Sequence, residues 1–290
     1  MEKLAGESEE APEFIEGLCL EYCEEAVSLW QLRCRAVQAP HYNLTELLDL
    51  DNRLEAQIDA LRVAGGPGWE VCKAALEKGN AGECFPASVL AFESTDEARI
   101  AGILDKAASQ QVLSEAVTSA LGWLSYEQSE LHISRLFKSK STVHQYIGIS
   151  ASVFHRRDPW EYLDNAIYSP DPLLKARALK AVGELGGRRD IMMPGRLQNN
   201  WNAKDSTISF SAAWSSALLG DVKAIDTLKT FVKAASPFGE EAIGIAMRCM
   251  EYGEALVLQK ELSKSPDTLR LAVQGAGIIG DPTLVPWLLE

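Results

Sequence analysis

The chain has 290 residues, is 47% hydrophobic and carries a formal net charge of −13, so it can bury an extensive core, and its acidity argues against nucleic acid as a partner. Its longest apolar runs fall far below the roughly 18–20 residues of a membrane span. The opening stretch, MEKLAGESEEAPEF, is acidic where a secretory signal peptide is basic, so a cytoplasmic protein is predicted.

The acidic charge is concentrated at one end of the chain. Residues 1–100 contain 20 acidic and 8 basic side chains, whereas residues 101–290 contain 21 and 20. Two regions of different chemistry are therefore expected. The first of them opens with an acidic segment, residues 1–11, which is predicted to be a disordered tail because it has little apolar surface to bury.

Residues 12–95 are predicted to form a helical N-terminal module. Apolar residues recur there at helical spacing, and proline and glycine interrupt the pattern at intervals. The helices expected from these signals cover 12–39, 43–63 and 69–78. The segment FPASVLAFES follows a glycine-containing turn.

The stretch SPDPLLKARALKAVGELGGRRDI, residues 169–191, shows the unit that recurs in the rest of the chain. Asp171 is a good N-cap and Pro172 suits the first helical position. Gly186 ends the helix, since glycine adopts the left-handed C-cap conformation without penalty, and Asp190 can cap the next one. Apolar residues at spacings of three and four lie on one face of the helix: Leu173, Leu174, Ala178, Leu179, Val182 and Leu185. The unit is therefore a helix hairpin.

Turns and breaks repeat with one period along residues 96–290. Successive turns, 27 to 34 residues apart, are expected near Ser125, Arg156, Gly186, Gly220, Gly253 and Gly280. Breaks between units give a second series with a similar period: Ser141, Ser169, Ser206, Ser236 and Ser265. One hairpin cannot bury its apolar face alone, so neighbouring hairpins must stack, with small residues in the first helices allowing close approach. The predicted fold is all-α: a right-handed α-solenoid of about six helix pairs preceded by the helical N-terminal module.

The period and the Leu-Gly-Asp and Gly-Asp-Pro turns resemble HEAT-like repeats of the short type named after phycobilisome lyases. The resemblance implies a helix-hairpin scaffold. Bilin lyase chemistry is not implied, because such a repeat is an architecture rather than an active site.

A second resemblance covers most of the chain and is strongest over residues 29–69. It rests on LWQLRCRAVQAPHYNLTELLDLDNRLEAQIDALRVAGGPGWEVCKAAL, GECFPASVLAFES and SALGWLS. These segments resemble an uncharacterised proteobacterial family in which such a module precedes HEAT-like repeats. Its members tend to be encoded beside type VI secretion components, so the resemblance implies a context rather than a mechanism.

No catalytic constellation is found in the sequence. Di-iron hydroxylases with this kind of fold need His-Glu dipeptides, but the residues after the four histidines are Tyr42, Ile133, Gln145 and Arg156. P-loop, GxGxxG, GxSxG and HExxH patterns are absent from the sequence as well. A protein that is not an enzyme and has no cofactor is therefore predicted.

The six cysteines show no Cys-x-x-Cys pair. Cys19 and Cys23 are four residues apart on a predicted helix, a spacing compatible with metal binding. No histidine or second cysteine pair completes such a site, so buried free thiols are predicted.

Two arginine pairs occupy equivalent turns and define the predicted partner-binding residues. Arg156 and Arg157 precede Asp158, and Arg188 and Arg189 precede Asp190. They either form a short basic ridge or are solvated turn residues paired with the neighbouring aspartates. Four tryptophans lie near element ends and can be exposed: Trp69, Trp160, Trp201 and Trp287. Trp160 and Trp201 lie near the arginine pairs and are the predicted anchors for a protein partner.

The function expected from these observations is a non-enzymatic protein-binding scaffold. In the context that the resemblance implies, the partner is a type VI component or effector, and the protein is an accessory, chaperone-like or immunity protein. The alternative is a HEAT-like nucleic-acid-binding protein that uses the four arginines as a phosphate track.

The last unit, GDPTLVPWLLE, is not the polar capping repeat with which a solenoid normally ends. At least one further repeat is therefore expected beyond Glu290. If the chain ends there, Leu284, Val285, Leu288 and Leu289 are expected to pack against a second copy in an end-to-end homodimer.

Overall fold

A computed structural model describes residues 10–186 and 193–289, and in these residues the regular secondary structure is helical throughout, without a strand. The prediction of an all-α protein is confirmed. Within the described part of the chain, no helix is long and apolar enough to cross a membrane. The chain divides into two compact units, Met1–His155 and Arg156–Glu290. Most of the predicted acidic tail, residues 1–9, lies outside the described residues.

The first unit contains eight helices among its described residues. They are α1 (Glu10–Ala36), α2 (Leu44–Ala64), α3 (Gly66–Leu76), α4 (Ala81–Ser94), α5 (Glu97–Ser109), α6 (Gln111–Trp123), α7 (Tyr126–Lys138) and α8 (Thr142–Phe154). Helix α1 packs against α2, α3 and α4. After that point the packing changes: α5 pairs with α6, α7 pairs with α8, and α4, α6 and α8 contact one another in series.

Local signals in the sequence set the boundaries of these helices. Asn43 caps α2 by accepting hydrogen bonds from two backbone N–H groups, while the Glu46 carboxylate accepts one from the Asn43 N–H at 2.8 Å. Helix α2 ends at Gly65, whose φ is +63°, a conformation that glycine adopts without steric cost. Ser125 and Gln128 form an equivalent capping box at the start of α7.

The core of the first unit is one cluster that extends from Cys19 to Ala151. Phe85 lies at its centre, stacked on Trp30 at 5.4 Å and in edge contact with Trp123 at 5.7 Å. The predicted module boundary at 95/96 falls between α4 and α5, inside this cluster. The helices on both sides of that boundary therefore share one hydrophobic core.

The second unit contains nine α-helices and one short 3₁₀ helix, Pro282–Leu284, in its described part. The α-helices are α9 (Glu161–Ile167), α10 (Pro172–Leu185), α11 (Met193–Gln198), α12 (Ser206–Leu218), α13 (Ala224–Lys233), α14 (Gly239–Cys249), α15 (Tyr252–Leu262), α16 (Pro266–Ile279) and α17 (Val285–Leu289). Helices α10, α12, α14 and α16 pack against one another in series, and each also packs against the odd-numbered helix that precedes it. The side chains of Val285, Leu288 and Leu289 in α17 are exposed.

The predicted glycine turns are confirmed at three positions. Gly186, Gly220 and Gly280 have φ values of +62°, +89° and +67°, which favour glycine because it lacks a Cβ. The turn expected near Gly253 lies slightly earlier, at the extended backbone of Met250 and Glu251. Gly253 itself is in the first turn of α15.

Two of the aspartates predicted to cap helices in the second unit do so. Asp171 Oδ1 accepts a hydrogen bond from the Leu174 N–H at 2.9 Å, and Asp281 Oδ1 accepts one from the Thr283 N–H at 2.8 Å. Asp221 Oδ1 accepts a hydrogen bond from the Lys223 N–H at 3.1 Å, but Lys223 is the N-cap of α13, so Asp221 does not cap that helix. Asp190 lies outside the described residues.

A close approach between α10 and α12 depends on one glycine. The Gly183 N–H donates to Ser215 Oγ at 3.2 Å, and that hydroxyl donates to the Leu179 carbonyl at 2.6 Å. A Cβ on residue 183 would lie only 2.7 Å from the Ser215 Cα. Small residues therefore allow these two helices to touch through their backbones, as the sequence predicts.

Candidate functional site

The segment that precedes α9 holds three of the predicted partner-binding residues. Two of them have a backbone that non-glycine residues rarely adopt: φ is +54° at Arg156 and +52° at Trp160. Such a conformation costs of the order of 1–3 kcal/mol and occurs where surrounding contacts impose it, often at functional sites. Arg157 lies between them and is exposed.

Surrounding hydrogen bonds fix the backbone of Trp160. Its N–H donates to Asp158 Oδ1 at 2.8 Å, and its carbonyl accepts from the Leu163 N–H at 3.1 Å. The side chain nevertheless remains 72% exposed. A large aromatic group is therefore held at the surface by a backbone with little freedom to move.

A second exposed aromatic side chain lies at the other end of α9. Tyr168 is 66% exposed and follows Trp160 by eight residues, which is roughly 12 Å of helix. The Arg196 guanidinium lies over its ring at 5.9 Å and forms an ion pair with Asp164 at 3.3 Å. We call the surface formed by Trp160, Asp164, Tyr168 and Arg196 the α9 surface. Tyr168 was not predicted, because its exposure depends on which face of α9 is buried.

Of the two described arginines of the predicted basic ridge, Arg156 is used within the fold. Arg156 Nη1 donates to the carbonyl of Glu184 at 2.9 Å, near the C-terminal end of α10, where the helix dipole favours a positive charge. Arg188 and Arg189 lie outside the described residues. The ridge therefore stays a prediction.

Trp201 contributes to the packing of the second unit. Its ring is half-buried against the core, its indole N–H donates to Ser216 Oγ at 3.0 Å, and its carbonyl accepts a hydrogen bond from the Ser209 hydroxyl. A buried indole normally has such a partner for its N–H. Trp160, and not Trp201, is therefore the predicted anchor whose ring is mostly exposed to solvent.

A cavity in the first unit was not predicted from the sequence. It has a volume of about 280 Å³ and lies among α4, α5, α7 and the start of α8. Apolar side chains line most of it: Phe92, Ile100, Ala101, Leu104 and Leu136. The spacing of such apolar residues in the sequence predicts that they are buried. Whether they leave a cavity depends on how the helices pack against one another.

Polar groups also line this cavity. Arg135 Nη1 lies 2.5 Å from Glu97 Oε1, and these side chains are 51% and 71% exposed. His144 Nδ1 is 3.0 Å from Ser139 Oγ, and the Nε2 of the same ring is buried without a hydrogen-bond partner. A buried polar atom without a partner is uncommon in folded proteins.

His132 lies on the same cavity and is neutral. Its Nε2 is 3.1 Å from the carbonyl of Phe92, so this nitrogen carries the proton and donates it to the carbonyl. Burial lowers the pKa of His132 below its ordinary value, and the positive charge of Arg135 acts in the same direction. Because the ring is neutral and its proton is on Nε2, Nδ1 carries a lone pair.

We expect His132 to make the fold less stable in acid. Its pKa is lower in the folded chain than in the unfolded one, so between the two values only the unfolded chain binds the proton. The contribution of neutral His132 to the free energy of unfolding is therefore fully present above about pH 6.5, the pKa of histidine in an unfolded chain. It is lost as the pH falls towards the lower pKa that His132 has in the folded chain. Urea unfolding at several pH values should show that the free energy of unfolding falls less steeply with decreasing pH for His132→Gln than for the native chain. The glutamine side chain retains a hydrogen-bond donor. The same dependence of the free energy of unfolding on pH in both chains would contradict this expectation. His41→Gln, on the surface, is the control.

Buried thiols form a small cluster in the core of the first unit. Cys19, Cys23 and Cys72 are all buried, and the Cys72 thiol donates to Cys23 across 3.7 Å. This hydrogen bond and burial both raise the pKa of Cys72. Among the described residues, no group of three or more histidines, cysteines and carboxylates is arranged to hold a metal ion.

No protein-family model and no curated protein matches the chain. Its function must therefore be argued from its own residues.

Proposed function

We propose that the chain is a non-enzymatic scaffold that binds a protein partner through the α9 surface. The observation that carries the proposal is Trp160, 72% exposed and held by an unusual backbone conformation. Tryptophan, tyrosine and arginine are the residues that contribute most to the affinity of protein interfaces. The α9 surface presents all three.

The proposed architecture of the scaffold is an α-solenoid of HEAT-like hairpins. The support comes from the packing within each unit: α4, α6 and α8 in the first, and the even-numbered helices α10 to α16 in the second, contact one another in series. This is the nearest-neighbour stacking expected when each repeat buries its apolar face on the next. Direct contact between α10 and α12 at Gly183 fits the same arrangement.

The resemblance to the proteobacterial family suggests where to look for the partner. If the chain works in the context that the resemblance implies, the partner is a type VI component or effector encoded nearby. An accessory, chaperone-like or immunity role would each require a stable complex. Co-expression with the products of the neighbouring genes, followed by purification through a tag on this chain, tests the proposal.

Replacing Trp160 with alanine should weaken the complex strongly while leaving the fold intact. The exposed indole contributes little to folding, but loss of an aromatic anchor costs about 2 kcal/mol of binding, or roughly 30-fold in Kd. Calorimetric titration of the partner, with thermal unfolding of each variant, measures both effects. Val257→Ala is the control because Val257 is 68% exposed in the same unit but outside the α9 surface. Equal affinity for the Trp160→Ala variant and the native chain would contradict the proposal.

The same material tests the nucleic-acid alternative. A phosphate track would give a salt-dependent mobility shift with duplex DNA that disappears when Arg156, Arg157, Arg188 and Arg189 are replaced by alanine. The hydrogen bond from Arg156 to the Glu184 carbonyl and the net charge of −13 favour the protein partner.

A further inference from the structure

We propose that the cavity of the first unit binds a small carboxylic acid with an apolar body, of the class of aromatic or branched-chain monocarboxylates. All of its lining residues belong to the first unit. The proposal therefore does not depend on partner binding at the α9 surface, and each can fail without the other.

The apolar wall of the cavity suits a ring or a branched chain. Phe92, Ile100 and Leu136 are nearly inaccessible to solvent and line a space of about 280 Å³. Water against such a wall finds few hydrogen-bond partners, so an apolar group that displaces it gains free energy.

His144 supplies a hydrogen-bond donor for an oxygen of the ligand. Ser139 Oγ accepts from the Ser141 N–H at 3.1 Å, so we assign the hydroxyl proton to the 3.0 Å contact with His144 Nδ1. The imidazole proton is then on Nε2, which is buried and has no partner. A buried donor without a hydrogen-bond partner costs about 1–3 kcal/mol of stability. An acceptor oxygen on a ligand would remove this cost once the ring turns to bring Nε2, which is closed to solvent in this conformation, to the cavity wall.

The charges at the cavity are balanced, Arg135 against Glu97, so a ligand carboxylate must compete with Glu97 for Arg135. Arg135 forms an ion pair with Glu97 in which both side chains are more than half exposed, and such pairs contribute little to stability. A ligand carboxylate can therefore replace Glu97 as the partner of Arg135. His132 adds no second positive charge because burial lowers its pKa below the ordinary value. Glu97 also repels a second negative charge, so a monocarboxylate fits better than a dicarboxylate.

Three matched probes test the class of ligand on the full chain. Phenylacetate, benzylamine and benzyl alcohol share one aromatic body and differ in the charge of the polar group. In calorimetric titrations, with NMR of the histidine ring protons, we expect saturable binding of phenylacetate and a shift of the His144 signals. Benzylamine should not bind, and benzyl alcohol should bind more weakly than phenylacetate. No saturable binding of phenylacetate, or equal binding of benzylamine, would overturn the proposal.

Variants of the polar residues locate the carboxylate. Arg135→Gln should weaken phenylacetate binding about tenfold, and His144→Phe, which keeps a ring but removes the donor, about fivefold. Glu97→Gln should strengthen binding about two- to threefold, because it removes the competing carboxylate. Lys138→Gln is the control: it removes an exposed positive charge from the same helix without touching the cavity. Arg135 and Glu97 are at the surface, so their variants fold even if His144→Phe does not. Equal weakening by Arg135→Gln and Lys138→Gln would overturn the proposal.

Discussion

Replacing Gly183 with valine is expected to lower the free energy of unfolding by about 3 kcal/mol, at the upper end of what overpacking costs. The Cβ of any new side chain would lie 2.7 Å from the Ser215 Cα and 2.6 Å from its Oγ. Because one of these contacts is with backbone, a change of side-chain rotamer cannot relieve it, and α10 and α12 must move apart. The Gly183 N–H and the Leu179 carbonyl would then both lose their hydrogen bonds with the Ser215 hydroxyl.

A second glycine of the same unit provides the matched control. Gly277 is an exposed residue of α16, and a Cβ there would meet no atom within 4 Å. Gly277→Ala should therefore stabilise the chain by about 0.5–1 kcal/mol, through helix propensity alone. Urea unfolding followed by circular dichroism compares the two variants. A Gly183→Val variant as stable as the native chain would show that the close contact between α10 and α12 does not exist in solution.

Replacing Arg62 with methionine is expected to cost about 2–3 kcal/mol, because it removes the centre of a network of part-buried charges. Arg62 forms two hydrogen bonds with the Glu93 carboxylate at 2.8 Å and also binds Glu55 at 2.5 Å and Asp59 at 2.6 Å. The Trp123 indole N–H donates to Glu55 as well. Burial disfavours the charged guanidinium, but the hydrogen bonds to Glu93, Glu55 and Asp59 outweigh it and raise the pKa of Arg62. The network joins α2, α4 and α6.

The cost should come mainly from the carboxylate that is left without a partner. Glu93 has a side chain only 18% exposed, so Arg62→Met leaves its charge poorly solvated. The double variant Arg62→Met with Glu93→Leu should therefore recover part of the lost stability. Arg53→Met, in the same helix, is the control, since its pair with Glu25 is 3.5 Å long and exposed. We expect it to change stability by less than about 0.5 kcal/mol. If Arg53→Met lowers the free energy of unfolding as much as Arg62→Met does, the network around Arg62 is not the cause of the loss.

The helices were predictable because their signals are local. Asn43, Asp171 and Gly280 each act within one turn of their own helix, so propensity and capping rules apply without knowledge of the rest of the chain. The same rules placed the turn near Gly253 slightly too late. Glycine is only one way to break a helix, and here the extended backbone at Met250 and Glu251 does so.

Features that depend on packing were not predictable in the same way. The stacking of Phe85 with Trp30 and its contact with Trp123 place one core across the predicted 95/96 boundary. The shift in charge near residue 100, which motivated that boundary, concerns surface residues and carries no information about the core. The cavity beside His144 likewise depends on how α4, α5, α7 and the start of α8 pack against one another.

The candidate binding residues were predicted in part. The position of Trp160 near an element end suggested its exposure, and the structure adds the backbone conformation that fixes it. Trp201 occupies a similar position in the pattern, but its indole N–H donates to Ser216 and its ring packs on the core. The two tryptophans differ in which neighbours surround them, and a sequence pattern does not report that.

Hydrogen–deuterium exchange of the complex, measured with and without the co-purified partner, tests the central claim most directly. If the partner binds at the α9 surface, the amides from Trp160 to Tyr168, and those around Arg196, should exchange more slowly in the complex. Amides of α15, which includes the exposed Val257, should be unaffected. Protection confined to other helices, with unchanged exchange in α9, would contradict the claim that this surface binds the partner.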